Sequence, residues 1–238
     1  MEPTITSTSA STVPATSAAP SPAGSFEAFV FDLDGTLLDT LPDLVVLTNA
    51  VLRDAGFPER TPAEILSFVG NGVKALMYQA VPADADEAAV EQAMERWKAL
   101  YPDYGHKLTK PYAGIPALLD ELKQRGVKLG VLSNKFDEGV QDVIATYLPD
   151  TFDAVHGECA DIPRKPDPTG LLRTARELGV EPAHLVYVGD SPNDVAVSRN
   201  AGTLVAAVTW GYHDAESLKA IQPDFLIDDP RELLHLVR

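Results

Sequence analysis

The chain has 238 residues, enough for one large domain or two modest ones, and an ordinary apolar fraction of 45%. No uncharged apolar run approaches the roughly 18 residues of a membrane span, and the net charge of -16, from 35 acidic and 19 basic residues, disfavours nucleic acid and anionic lipid as partners. Cys159 is the only cysteine. It excludes an intramolecular disulfide, fits a reducing cytoplasm, and is expected as a small buried hydrophobe.

Residues 1–25 are almost entirely Ser, Thr, Ala and Pro, with Glu2 the only charged side chain. They predict a disordered tail, because nothing there buries enough surface to offset chain ordering. A basic start and an apolar run are missing, so the segment does not read as a secretory signal.

From Phe26 to Phe31 an apolar run ends in Asp32-Leu33-Asp34-Gly35-Thr36. Similar runs recur at Val127–Leu132, Leu185–Val188, Leu204–Val208 and Phe225–Ile227. Near-continuous apolar runs predict strands buried on both faces. Helical segments alternate with them: Gly114 to Arg125, a segment opened by Asp167-Pro168 and closed at Gly179, and one opened by Ser191-Pro192 and closed near Gly202. The expected fold is a doubly wound α/β sheet of Rossmann-like type.

Residues 41–110 contain no convincing strand. Leu44, Leu47, Val51 and Ala55 recur at helical spacing, Thr61 to Glu64 has the form of a capping box, and Asp84 to Leu100 reads as another helix. A helical cap over residues 41–110 is expected, inserted into a core of residues 26–40 and 111–238.

Four strand ends carry the chemistry. Asp32 and Asp34 alternate on an extended segment, so both carboxyls face one side, and Thr36 adds a hydroxyl. Ser133-Asn134 follows the second run with a hydroxyl and backbone N–H groups. Lys165 sits between Arg164 and Pro166, stiffened by Pro166 and Pro168, ahead of a helix N-terminus where an anion is welcome. Asp190 and Asp194 flank the start of the helix after the fourth. In open α/β sheets ligands bind at the carboxyl ends of the strands. Carboxylates gathered there cannot all remain ionised without a cation, and oxygen ligands without a His/Cys cluster suit magnesium rather than zinc. The five histidines show no ligand spacing, and Trp97 and Trp210 read as packing residues.

These elements, in this order from Phe26 to the C-terminus, resemble the haloacid dehalogenase superfamily. The resemblance implies Asp32 as nucleophile, Asp34 as general acid and base, and Ser133 and Lys165 as phosphate-binding residues. It also implies Mg²⁺ held by Asp190, Asp32 and the Asp34 carbonyl, with Asp194 in support. Asp34 has to start protonated, which crowding by other carboxylates would favour. Acidic Asp34 favours phosphoryl transfer over dehalogenation. Asp32 to Thr40, Phe68 to Val73, Ser133-Asn134-Lys135 and Thr209 to Tyr212 look like the phosphoglycolate phosphatase subgroup. Thr36 and Asn134, with Gly70, Asn71 and Gly72 of the cap, are then expected at the phosphate or substrate, and Lys74 could meet a substrate carboxylate. The partner is a small phosphorylated metabolite. Rival readings are a pyrophosphatase or nucleotide 5′-phosphatase, a sugar phosphomutase, and an inactive phosphate-sensing module.

Overall fold

The first apolar run forms β1 (Ala28–Phe31), every residue of which is buried. In this computed structural model, which describes residues 26–237, β1 lies at the middle of a parallel sheet. The tail expected over residues 1–25 lies outside the described residues. The chain continues through β2 (Leu38–Asp39) and four helices: α1 (Leu41–Asp54), α2 (Pro62–Phe68), α3 (Gly72–Ala80) and α4 (Glu87–Tyr104). It returns through β3 (Lys110–Pro111) to α5 (Ile115–Gln124), β4 (Lys128–Phe136), α6 (Asp137–Tyr147) and β5 (Ala154–Glu158). The last part comprises α7 (Thr169–Leu178), β6 (Leu185–Gly189), α8 (Pro192–Ala201), β7 (Leu204–Val208), α9 (Ala215–Ala220) and β8 (Phe225–Ile227).

Among the described residues six strands pair in parallel in the order β5-β4-β1-β6-β7-β8. Alternate residues of β1 serve opposite faces. Ala28 and Val30 pack with Leu171, Ala175 and Val197 of α7 and α8, while Phe29 and Phe31 join Ile115, Leu118 and Val140 of α5 and α6. The sheet is therefore covered on both sides, which is why its strands lack polar alternation. Successive connections run outward from β1 in both directions, so a crevice opens at its carboxyl end.

The two-residue antiparallel ribbon β2–β3 brackets α1 to α4. The expected capping box is present: Thr61 Oγ1 accepts from Glu64 N at 3.3 Å, and Glu64 Oε2 accepts from Thr61 N at 2.8 Å. The segment expected from Asp84 to Leu100 forms α4 from Glu87, capped by Asp86, whose Oδ1 accepts from Ala89 N. Leu44, Leu47 and Val51 are buried as their spacing predicts, but Ala55 is exposed beyond the helix end and Leu52 is buried instead. Leu44, Trp97 and Tyr101 share one apolar cluster with Phe31 and Val188 of the sheet.

Asp43 ties the start of this helical segment to its end. Its carboxylate accepts from the backbone N–H groups of Lys107, Leu108 and Thr109 and from Thr109 Oγ1, at 2.6–3.0 Å. Asp43 is 1% and Thr109 5% exposed, so the two Thr109 donors have no water to turn to. The variant Asp43→Ala is expected to lose about 2–4 kcal/mol of unfolding free energy in urea titration, because hydrogen bonds to a charged group are lost and the buried Thr109 donors are stranded. A loss under about 0.5 kcal/mol would contradict this account.

Three expectations need correction. β4 does not end at Leu132 but continues to Phe136, with an irregularity in its pairing to β5 between Leu132 and Phe136. Ser133 therefore lies within a bulged strand, beyond the last residue paired with β1, Val131. The cap of α7 is Pro168 rather than Asp167; Asp167 Oδ1 still accepts from Thr169 N at 2.9 Å, one residue early. Cys159 is exposed, not buried. It exchanges two backbone hydrogen bonds with Ile162 in a tight turn, where Ile162 points inward at 2% exposure and Cys159 points out.

Candidate active site

The carboxyl ends of β1, β4 and β6 and the loop before α7 meet at the crevice. Asp32 follows β1, with Oδ1 accepting from Leu33 N at 2.7 Å. Its Oδ2 lies 2.9 Å from Lys165 Nζ. Lys165 is buried, and its ammonium meets three acceptors: Asp32 Oδ2, Asp194 Oδ1 at 2.7 Å, and Tyr187 Oη at 2.9 Å. An ammonium has three donors, so this lysine is fully satisfied and fixed in place. Burial alone would lower its pKa, but Asp194 and Asp32 outweigh that and hold it above the ordinary value. Burial pushes the Asp32 carboxyl up to about 7; Lys165 opposes the rise, and Asp194 and Asp190 reinforce it.

Asp32, Asp190 and Asp194 each offer a carboxylate oxygen, all within 4.8 Å of one another. The three do not have equal freedom. Asp194 is fully buried; its Oδ2 accepts from both Ser191 N and Ser191 Oγ and is filled, so only Oδ1, which faces Lys165, keeps a lone pair. Asp190 accepts from Thr36 Oγ1 at 3.1 Å and from Tyr212 N at 2.6 Å. Each of its oxygens keeps a lone pair, as does each oxygen of Asp32, and a hard divalent cation fits such an all-oxygen donor set.

The turns are built for close approach to Asp190. Gly35 has φ +82°, and a Cβ there would fall 2.6 Å from Asp190 Oδ2; one at Gly211 would fall 2.4 Å from Asp190 Cβ. Only glycine permits this packing.

Asp34 stands apart from the other carboxylates. Its Oδ1 accepts from Thr40 Oγ1 at 2.7 Å and lies 3.5 Å from Lys135 Nζ. The crowding expected around it is absent, since its neighbours are a hydroxyl and an ammonium. Thr40 Oγ1 also lies 3.0 Å from Tyr212 Oη, which accepts from Thr40 N at 3.1 Å. Burial of Lys135 would lower its pKa, but Asp34 and Tyr101 raise it above the ordinary value.

Above these groups is a cavity of about 80 Å³. Its polar floor is Asp32, Asp34, Ser133, Lys135, Lys165 and Asp190, and its opposite wall is Leu44, Leu66, Val69, Val73, Leu76 and Trp97. Trp97 is thus both a packing residue, as expected, and a cavity wall. Gly70 and Gly72 line the cavity too, so the helical segment covers the strand ends.

Of the other expected residues Asn134 lines the cavity, whereas Thr36 and Asn71 do not. Thr36 is fully buried and its hydroxyl goes to Asp190. The Asn134 amide accepts from Lys165 N at 2.6 Å and donates to Lys165 O and to Gly70 O. Asn71 lies at the rim: its carbonyl accepts from Arg164 Nη1, and its Oδ1 from Asn193 Nδ2 at 3.2 Å. Asn193 Nδ2 also reaches Gly70 O at 3.4 Å. Lys74 is exposed and off the cavity wall, contrary to expectation, because it sits on the outer side of α3.

Sequence reasoning gave no individual role to Thr40, Lys135, Tyr187 and Tyr212. Three lie in segments that carry the family resemblance; Tyr187 is hidden in an apolar strand. Of the histidines, His106, His156 and His184 pair with surface carboxylates, while His213 Nδ1 lies 3.9 Å from Asp190 Oδ2, beyond hydrogen-bond range.

A doubly wound parallel sheet whose carboxyl edge gathers aspartates and buried lysines under a helical cover defines a class of α/β proteins with aspartate-centred sites. The chain belongs to the haloacid dehalogenase-like hydrolase family, whose model matches residues 29–208. A phosphoglycolate phosphatase of Vibrio vulnificus is 36% identical over 215 residues, covering 87% of this chain and 94% of that protein. An N-acetylmuramic acid 6-phosphate phosphatase of Pseudomonas aeruginosa is 33% identical, covering 89% of this chain and 94% of that one. A crystal structure described as a predicted phosphoglycolate phosphatase from Haemophilus somnus superposes with a TM-score of 0.84 at 27% identity, covering 90% of this chain and 99% of that one. Among the described residues no helix is long and apolar enough to cross a membrane.

Proposed function

We propose that the chain is a magnesium-dependent phosphomonoester hydrolase whose substrate is a small phosphorylated acid such as 2-phosphoglycolate. The observation that carries this reading is the buried Asp32 at the tip of β1, held 2.9 Å from Lys165 and beside the Asp190 carboxylate. Two relatives named as phosphomonoester phosphatases support the reaction class. The volume of about 80 Å³ supports a small leaving group.

Asp32 is the nucleophile. Its free oxygen lone pair attacks phosphorus as the bond to the leaving oxygen breaks, giving an aspartyl-phosphate, and water then cleaves the acyl phosphate in a second step. Asp34 donates its proton to the leaving oxygen and afterwards takes one from the attacking water. Ser133 donates to a phosphoryl oxygen, and Lys165 exchanges its contact with Asp32 Oδ2 for a phosphoryl oxygen as Asp32 attacks, while Asp194, Tyr187 and, through the backbone, Asn134 keep it in place. Asp190, Asp32 and the Asp34 carbonyl would hold Mg²⁺, which would supply positive charge to the phosphoryl oxygens. Asp194 fixes the Lys165 ammonium, and Gly70, Asn71 and Gly72 close the substrate side. Local charge from lysine and cation answers the chain's net charge of -16.

The test is a screen of small phosphomonoesters with magnesium, including 2-phosphoglycolate. Phosphate release from 2-phosphoglycolate is expected, falling by at least about 10²-fold with chelator and returning with added Mg²⁺. Conversion of a phosphosugar to its isomer would point to a mutase. Inertness toward every monoester would overturn the reading.

A further inference from the structure

We propose that Lys135 selects the leaving group by binding its negative charge. This inference rests on the phosphatase reading above and deepens it.

Two cationic side chains line the cavity among the described residues, Lys165 and Lys135. Lys165 is committed, with all three donors engaged by Asp32, Asp194 and Tyr187. Lys135 is not. It is 7% exposed, yet its nearest carboxylate oxygen is Asp34 Oδ1 at 3.5 Å, the limit of a hydrogen bond, and its ammonium otherwise meets only the side chain of Tyr101, whose ring centroid lies 5.2 Å away and which helps to hold the charge. A buried ammonium so thinly partnered is costly unless a ligand completes it.

Its position decides what that ligand is. Lys135 stands beside Asp34, the group assigned to the leaving oxygen, and not beside Asp32. In a phosphorylated two-carbon acid the carboxylate is separated from the ester oxygen by a single carbon. With the ester oxygen at Asp34, the carboxylate falls beside Lys135. No other group at that end is positively charged: Leu44, Leu76 and Trp97 are apolar wall, and the Tyr212 hydroxyl is taken up by Thr40 beside Asp34. Lys74 points away into solvent. Within this cavity Lys135 is therefore the group that can neutralise an anionic leaving group, and a sugar or alcohol leaving group would leave it unsatisfied.

The experiment compares 2-phosphoglycolate with propyl phosphate, an ester of similar size whose chain is uncharged, on the wild type, Lys135→Met and Lys135→Gln with magnesium present. Methionine keeps much of the apolar stem. Thermal unfolding verifies that each variant is folded. The expected result is a wild-type preference for 2-phosphoglycolate and a fall of about 10²-fold in the ratio of the two kcat/KM values in both variants, because a charge-assisted bond in an apolar site is lost. Glycolate should also inhibit the wild type more strongly than either variant. An unchanged ratio in folded variants would overturn the inference. So would an equal loss on both esters, which would place Lys135 in the service of Asp34 alone. If the wild type hydrolyses neither ester, the phosphatase reading fails first; if it hydrolyses propyl phosphate equally well, the phosphatase reading stands and this inference falls.

Discussion

Asp32→Asn is expected to lower kcat for phosphate release by on the order of 10⁴-fold or more while leaving the fold intact. The asparagine can still accept from Leu33 N, and it fills the same space. It cannot form the covalent intermediate. Its stability should not fall. Burial holds the Asp32 pKa at about 7, above the ordinary carboxylate value, so above pH 7 the folded state carries a charge that burial disfavours. A group whose folded pKa is raised costs stability once the pH exceeds its unfolded value, and the neutral amide removes that cost. Thermal unfolding at pH 8 is therefore expected to show an equal or higher midpoint, alongside a dead enzyme. Phosphate release near the wild-type rate would sink the mechanism.

Lys165→Met is expected to do the reverse, costing both activity and stability. Removing the ammonium leaves Asp32 and Asp194 facing each other in a buried site with no cation of the protein's own between them. Breaking such a pair from one side costs about 3–5 kcal/mol. Urea unfolding without magnesium should show that loss. Adding Asp194→Asn to Lys165→Met should recover part of it, since one unpaired charge is removed. A stability change below about 1 kcal/mol would mean that the three groups do not form the interlocked set described here.

Much of this site was legible in the sequence because its residues sit where strands end, and strands announce themselves. β1, β6 and β7 are buried on both faces and carry almost nothing polar. β5 escaped notice because an edge strand holding His156, Gly157 and Glu158 has only one paired side and no apolar run. The hinge ribbon of β2 and β3 escaped because two residues are too few for any period. Asp194 was read as a supporting acid, and its geometry explains why: it opens α8 by accepting from Ser191 and steadies Lys165 with its other oxygen. Thr36, by contrast, looked like a ligand of the substrate and proved to hold Asp190. A hydroxyl two residues past Asp34 can turn either way, and only the φ +82° turn at Gly35 settles it. Lys135 stood in a quoted motif, yet nothing in the spacing of Ser133-Asn134-Lys135 tells which of the three faces the cavity or lies against Asp34.

The contacts that Asn134, Asn193 and Arg164 make with Gly70 and Asn71 bear on how the cavity fills and empties. Each of these side chains is the immediate sequence neighbour of a proposed phosphate-site residue: Ser133, Asp194 and Lys165. Each of these three segments thus carries a proposed site residue at one position and a contact to the cover at the next. These four bonds to the cover are polar, three from amides and one from a guanidinium at the protein surface. Water can replace each of them at a net cost of about 0.5–1.5 kcal/mol, and no apolar surface is uncovered at those points. A fastening of this kind comes undone more easily than the apolar packing of Leu44, Trp97 and Tyr101 behind it, and it refastens in one register.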